Sequence, residues 1–149
     1  MAGHKIRIIK SRKPASSLDY TPQQMTTIGE AGRASMYDRI RLSVDVYDRP
    51  APPLKVPAKN PNGGYPRYKV TKYGGKPIRD WWRTGQTLRA MKVIQAATNR
   101  VVIGFTTPAA NLRAFLNNRR WRQFGLSPRD LIAVNRARLA VLESRRMVA

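Results

Sequence analysis

The sequence predicts an α+β fold: a long N-terminal helix, a Pro-rich basic excursion, an antiparallel β-hairpin or small sheet, and two C-terminal helices. Three observations carry this. Met25, Ile28, Gly32, Met36, Ile40 and Val44 recur at three- and four-residue steps. Strand-type residues flank Thr98-Asn99 on both sides. Ser127-Pro128-Arg129-Asp130 has the form of a helix start, ahead of a last apolar-periodic stretch. At 149 residues the chain suits one domain with a modest core.

Residues 1–20 are basic, then Ser-rich, and are expected to be a flexible tail that orders on contact. Ile6, Ile8 and Ile9 offer a short strand within it. The remainder, 21–149, is the expected α+β domain. Its first helix starts at Thr21, with Pro22 at the position where no N–H is needed and Gln24 completing a capping box. The stripe then runs about six turns. Gly29 and Gly32 weaken the helix but permit close packing against a neighbour.

Residues 48–77 hold seven of the eleven prolines and two Gly-Gly pairs. This segment reads as an extended assembly arm, with Arg67 to Tyr73 as a strand of a hairpin. Tyr65, Tyr68 and Tyr73 alternate with Arg67, Lys69, Lys72 and Lys76, so they can stack on bases or pack on a neighbouring subunit. The subunit contact is the reading taken. Next, Thr84 or Asp80 is expected to cap a short helix carrying Leu88 and Met91. Trp81 and Trp82 are adjacent and cannot both face one core, so one of them is expected at a partner chain.

The hairpin is placed at 90–105, turning at Thr98-Asn99. Residues 108–120 predict a helix with Leu112, Phe115 and Leu116 inward. In the last helix, 128 to about 145, Ser127 is the N-cap and Asp130 the N3 acid. Leu131, Val134, Val141 and Leu142 supply much of its apolar side.

The charge is the outlier of the composition. Lys and Arg total 29 against 8 Asp plus Glu, a formal +21, and the pI is about 11.6. Such density repels itself and calls for a negative partner, either nucleic acid or acidic protein surfaces. There is no cysteine and one histidine, His4. This inventory offers no disulfide framework, no thiolate, no His-rich metal site and no conventional Ser-His-Asp triad. The carboxylates form no dense cluster, and Asp45 with Asp48 reads as polar residues near a helix end. Gly74-Gly75-Lys76 lacks the rest of a phosphate-binding loop. No catalytic residue, cofactor or metal is expected, and the chain is read as no enzyme. No apolar run reaches the roughly 20 residues of a membrane span, and the basic segment Met1 to Lys13 lacks the core of a signal peptide.

From Arg113 to Arg146 there are nine arginines and no lysine. Arg119, Arg120 and Arg122 surround Trp121, and Arg113, Arg136 and Arg138 extend the set. Guanidinium groups bind phosphate and carboxylate bidentately and stack on aromatic rings. The set therefore faces DNA phosphates, pairs with acidic neighbours, or is a solvated helix face. Trp81, Trp82, Trp121, Tyr65, Tyr68 and Tyr73 are the aromatic candidates for a subunit interface.

Three blocks carry a family resemblance: IRDWWRTGQTLRAMKV at 78–93, NRVVIGFTTPAANLRAFLNNR at 99–119 and RQFGLSPRDLIAV at 122–134. With Pro52-Pro53-Leu54 after a long helix, they resemble the virion-morphogenesis, or neck and tail-completion, proteins of tailed bacteriophages. The resemblance covers about 22–135 and is specific over the last 60 or so residues. It implies a homo-oligomeric ring at the head–tail junction of the virion, made in the host cytoplasm. The ring would lie between portal-side head-completion or adaptor proteins and tail-tube or tail-terminator proteins, with packaged double-stranded DNA in or near its lumen and no membrane contact. It carries over no active-site residue. Charge alone favours a different class, a ribosomal rRNA-binding protein or a non-sequence-specific DNA-binding protein. No helix-turn-helix signature supports the latter.

Overall fold

The computed structural model describes residues 6–9, 19–54, 64–74, 76–77 and 85–148. Strand β1 is Ile6–Ile9, followed by helix α1 (Pro22–Arg41) and helix α2 (Gly64–Tyr73). A single-turn helix α3 (Gln86–Arg89) leads into the hairpin β2 (Met91–Ala97) and β3 (Arg100–Phe105). Helices α4 (Pro108–Arg120) and α5 (Pro128–Val148) complete the chain. The sheet is antiparallel with strand order β1-β3-β2.

Helix α1 begins as its sequence dictates. The Thr21 hydroxyl accepts from the Gln24 N–H at 3.2 Å, and the Gln24 side chain accepts from the Thr21 N–H at 3.0 Å. Two donors that a helix N-terminus would leave unpaired are thus satisfied reciprocally. Thr21→Ala should lower the unfolding free energy by about 1 kcal/mol in urea titration, because one of those donors loses its partner.

The stripe of α1 faces the hairpin. Met36 and Ile40 join Leu88, Met91, Ile103, Ala114 and Phe124 in one half of the core. Met25 and Ile28 join Tyr20, Val101, Val134 and Val141 in the other. Phe105 and Phe124 meet edge to face at 4.9 Å. Gly29 lies where α1 crosses the sheet: a Cβ there would sit 2.5 Å from Val101 Cγ2 and 3.1 Å from Val93 Cγ2. Helix α5 packs beside α1.

Several sequence expectations need correction. The short strand offered by Ile6, Ile8 and Ile9 is present, pairing with Arg100–Ile103 at the sheet edge, so this part of the segment read as a flexible tail is ordered. Tyr20, assigned to the tail, is 4% exposed and belongs to the core. Its N–H donates to Asn99 Oδ1 at 2.9 Å, which fastens the entry of α1 to the hairpin turn. Asn99 takes the left-handed conformation that the two-residue turn requires, with φ 58°. Helix α1 stops at Arg41, short of Val44, because the chain turns through left-handed Ser43 (φ 61°).

The extended strand expected over Arg67 to Tyr73 is a helix. Its bonding is local: the Thr71 hydroxyl donates to the Arg67 carbonyl at 3.0 Å, and the Tyr68 and Tyr73 rings meet edge to face at 5.6 Å. Tyr and Val content reflects fit to a pleated surface more than backbone preference, and among the described residues no strand partners the segment. The short helix before the hairpin has Gly85 at its N-cap, with no side-chain cap. Thr84 and Asp80 lie outside the described residues. Leu88 is in the core, but Met91 opens β2 and is not helical.

The largest correction concerns α4. Leu112, Phe115 and Leu116 point outward, at 47, 44 and 51% exposure, while Ala110 and Ala114 are buried. In α5, Val134 and Val141 are buried, but Leu131 is 46% exposed.

Candidate functional site

The arginine-rich segment converges with the loop after α1 at one corner, organised from the inside by two side chains absent from the sequence-derived candidates. Arg39, on the last turns of α1, is 1% exposed, and Asp130, on the first turn of α5, is fully buried. Arg39 Nε donates to Asp130 Oδ2 at 2.9 Å. Its Nη1 donates to the Val44 carbonyl at 3.0 Å, and its Nη2 to the carbonyls of Gln123 (2.9 Å) and Gly125 (2.8 Å). Asp130 also accepts from the Ser35 hydroxyl at 2.7 Å and from the Ser127 N–H at 3.0 Å. Ser127 Oγ in turn accepts from the Asp130 N–H. The capping box read from Ser127 and Asp130 is present, and its acid carries the ion pair as well. A guanidinium buried with this many partners fixes three chain segments at once.

Above that pair, residues 42–50 and 121–127 are stitched together. The Val46 N–H donates to the Arg122 carbonyl at 2.8 Å, and the Arg129 N–H to Asp48 Oδ2 at 3.2 Å. Asn118, near the end of α4, accepts from the N–H groups of Gln123 and Phe124, both at 2.9 Å, and donates to the Phe124 carbonyl. Gly125 has φ 144°, and a Cβ there would lie 3.1 Å from Val46 Cγ1. The FGLS segment is thus a tight joint between α4 and α5.

The outer surface of this joint is basic and aromatic. Tyr47 is 51% exposed. The Arg49 guanidinium lies 4.7 Å from its ring centroid, and Arg122 Nη1 donates to its hydroxyl at 2.9 Å. Arg129 and Arg119 are exposed on the neighbouring helix ends. The acids of the loop itself, Asp45 and Asp48, are engaged. Asp45 accepts from the N–H groups of Tyr47 (2.8 Å) and Arg49 (3.0 Å), and from the Arg49 guanidinium at 3.1–3.2 Å. The joint therefore presents guanidinium groups and an exposed ring, suited to phosphate, carboxylate and stacking contacts.

Asp45 carries a pH dependence. Burial pushes its carboxyl up, but the N–H groups of Arg49 and Tyr47 and the Arg49 guanidinium outweigh this and hold it below the usual value of 3.8. Its contribution to stability is therefore complete above the unfolded value and lost as pH falls through the lower folded one. Urea titrations from about pH 5 down to about pH 2 should show a smaller acid loss in Asp45→Asn than in the wild type.

The sequence-derived candidates divide. Arg122 lies in the joint, with Arg119 exposed at the adjoining end of α4 and Arg113 exposed two turns earlier. Arg120 ends α4. Trp121 is half-buried at the C-cap of α4, its backbone N–H donating to the Asn117 carbonyl. Arg136 and Arg138 are exposed further along α5 and are not part of the joint. Arg138 instead donates to Asn135 and stands 5.9 Å from the Tyr20 ring, beside Arg145 at 5.3 Å. Tyr65 and Tyr68 are exposed and Tyr73 half-buried on α2. Trp81 and Trp82 lie outside the described residues.

Sequence reasoning missed Arg39, Tyr47, Arg49 and Arg129. The Asp45-x-Tyr47-x-Arg49 spacing was the available signal, since Asp at a turn accepts from N–H groups two residues on. Among the described residues no three His, Cys, Asp or Glu side chains gather as a metal site, and no helix is long and apolar enough to cross a membrane. No family model, curated protein or solved structure matches the chain.

Proposed function

We propose that this chain is a structural assembly protein of a nucleic-acid-containing particle, specifically a neck or tail-completion protein of a tailed bacteriophage. It forms a homo-oligomeric ring joining the DNA-filled head to the tail, with double-stranded DNA in or near the lumen. Its role is structural and not catalytic.

The observation that carries the reading is the joint at Tyr47, Arg49 and Arg122. Exposed guanidinium groups stand on a frame held from within by the Arg39–Asp130 pair. A rigid basic surface meets a polyanion without first ordering itself, and phosphate contacts need no sequence readout. The three blocks that resemble the phage family supply the specific assignment. Their described residues fall at the entry to the hairpin (85–93), along β3 and α4, and at the joint itself. The neighbours on this reading are portal-side adaptor proteins and tail-tube or tail-terminator proteins.

A second reading, an rRNA-binding or non-specific DNA-binding protein, is favoured by the same exposed tyrosine and arginines. Two measurements separate them. Negative-stain images of the purified chain should show closed rings on the first reading and none on the second. Binding to a free duplex or rRNA fragment should be tight and fall steeply with salt on the second reading. A monomer with that steep salt response would overturn the neck assignment.

A further inference from the structure

Helix α4 is inverted relative to an ordinary surface helix. At about 100° per residue, Ala110, Ala114 and Asn118 share its inner face. Ala114 is fully buried against the core, and Asn118 is tied to the following turn. Leu112, Phe115, Leu116 and Arg119 fall on the opposite face. The three large apolar side chains are about half exposed. Single exposed leucines are ordinary, but three large apolar residues at i, i+3 and i+4 form a contiguous row of the kind that receives a partner helix.

The charge around that row selects the occupant. Helix α4 contains no acidic residue, and Arg113 and Arg119 flank the row. A second copy would bring the same arginines against themselves. Among the described residues its acids form no row to answer them: Asp130 and Asp45 are in ion pairs, Glu30 pairs with Arg33, Asp48 holds the Arg129 N–H and Asp19 accepts from Asn99, while the exposed Asp38 and Glu143 stand singly on α1 and α5. A nucleic-acid duplex offers the charge but no apolar stripe to cover the leucines and the phenylalanine.

We propose that the outward face of α4 docks an acidic amphipathic helix of a partner protein. Leu112, Phe115 and Leu116 seat against its apolar stripe, and Arg113 and Arg119 pair with its flanking carboxylates. This goes beyond the assembly reading and does not depend on the particle being a phage.

The test uses the full chain and two fluorescent helical peptides that share one Leu stripe, flanked by Glu in one and by Lys in the other. Anisotropy should show the Glu-flanked peptide binding at least about tenfold more tightly than the Lys-flanked one. Leu112→Ser with Leu116→Ser should weaken it about tenfold or more, with an unchanged denaturation midpoint because both side chains are half exposed. Arg113→Glu with Arg119→Glu should reverse the preference between the peptides. Equal binding of the two peptides, binding that survives the double serine change, or no binding of either would overturn the proposal. So would self-association that the serine variant abolishes, which would assign the face to a second copy. Loss of duplex binding in the same variant would assign it to nucleic acid.

Discussion

Asp130→Ala should lower the unfolding free energy by about 3–5 kcal/mol, measured by urea denaturation at neutral pH. The change leaves the Arg39 guanidinium buried without its counter-ion, and it also releases the Ser35 hydroxyl and the Ser127 N–H. Arg39→Met should cost a comparable amount. It strands the Asp130 carboxylate and leaves the carbonyls of Val44, Gln123 and Gly125 without a shared donor. Replacing both together should cost clearly less than the two single losses added, because no uncompensated charge remains. A single-variant loss near that of a surface cap, about 1 kcal/mol, would mean that the pair does not organise the joint.

Gly29→Ala should destabilise the chain by about 1–3 kcal/mol, although alanine is the better helix former. The added methyl would meet Val101 Cγ2 at 2.5 Å, on a fully buried, β-branched strand residue that has few alternative rotamers. Val101→Ala in the same chain should restore part of the loss, since it removes the colliding group. Stabilisation by Gly29→Ala alone would show that α1 sits further from the sheet than the geometry states.

What the sequence disclosed and what it withheld follow from the range of the interactions. The Thr21–Gln24 box, the Ser127–Asp130 box and the Thr98-Asn99 turn involve residues within a few positions of each other, so their residue types suffice to read them. The buried stripe of α1 is likewise a local periodicity. The Arg39–Asp130 pair spans 91 positions, and no local pattern marks one arginine among many as buried. Helix α4 misled because periodicity identifies an apolar face but not the direction it points. Its inner face is small since Ala114 packs directly against the core, and its larger residues are left outside. Residues 64–73 misled because tyrosine, valine and threonine suit a strand only where another strand pairs with it.

Of the candidate site, Arg119, Arg122 and Trp121 were legible as a basic and aromatic cluster. Tyr47 and Arg49, which complete it, come from a loop some 75 positions away that only the fold brings alongside. The acids near that loop read as ordinary residues at a helix end. Asp45 is in fact the acceptor that shapes the turn and holds Arg49 beside the Tyr47 ring.

The most direct test of the proposed neck role is density-gradient fractionation of the native source, following the chain with an antibody. On the neck reading it travels with intact virions, and particles made without it appear as separate DNA-filled heads and tails. Migration with ribosomal subunits would contradict the neck assignment and identify the basic surface as an rRNA footprint.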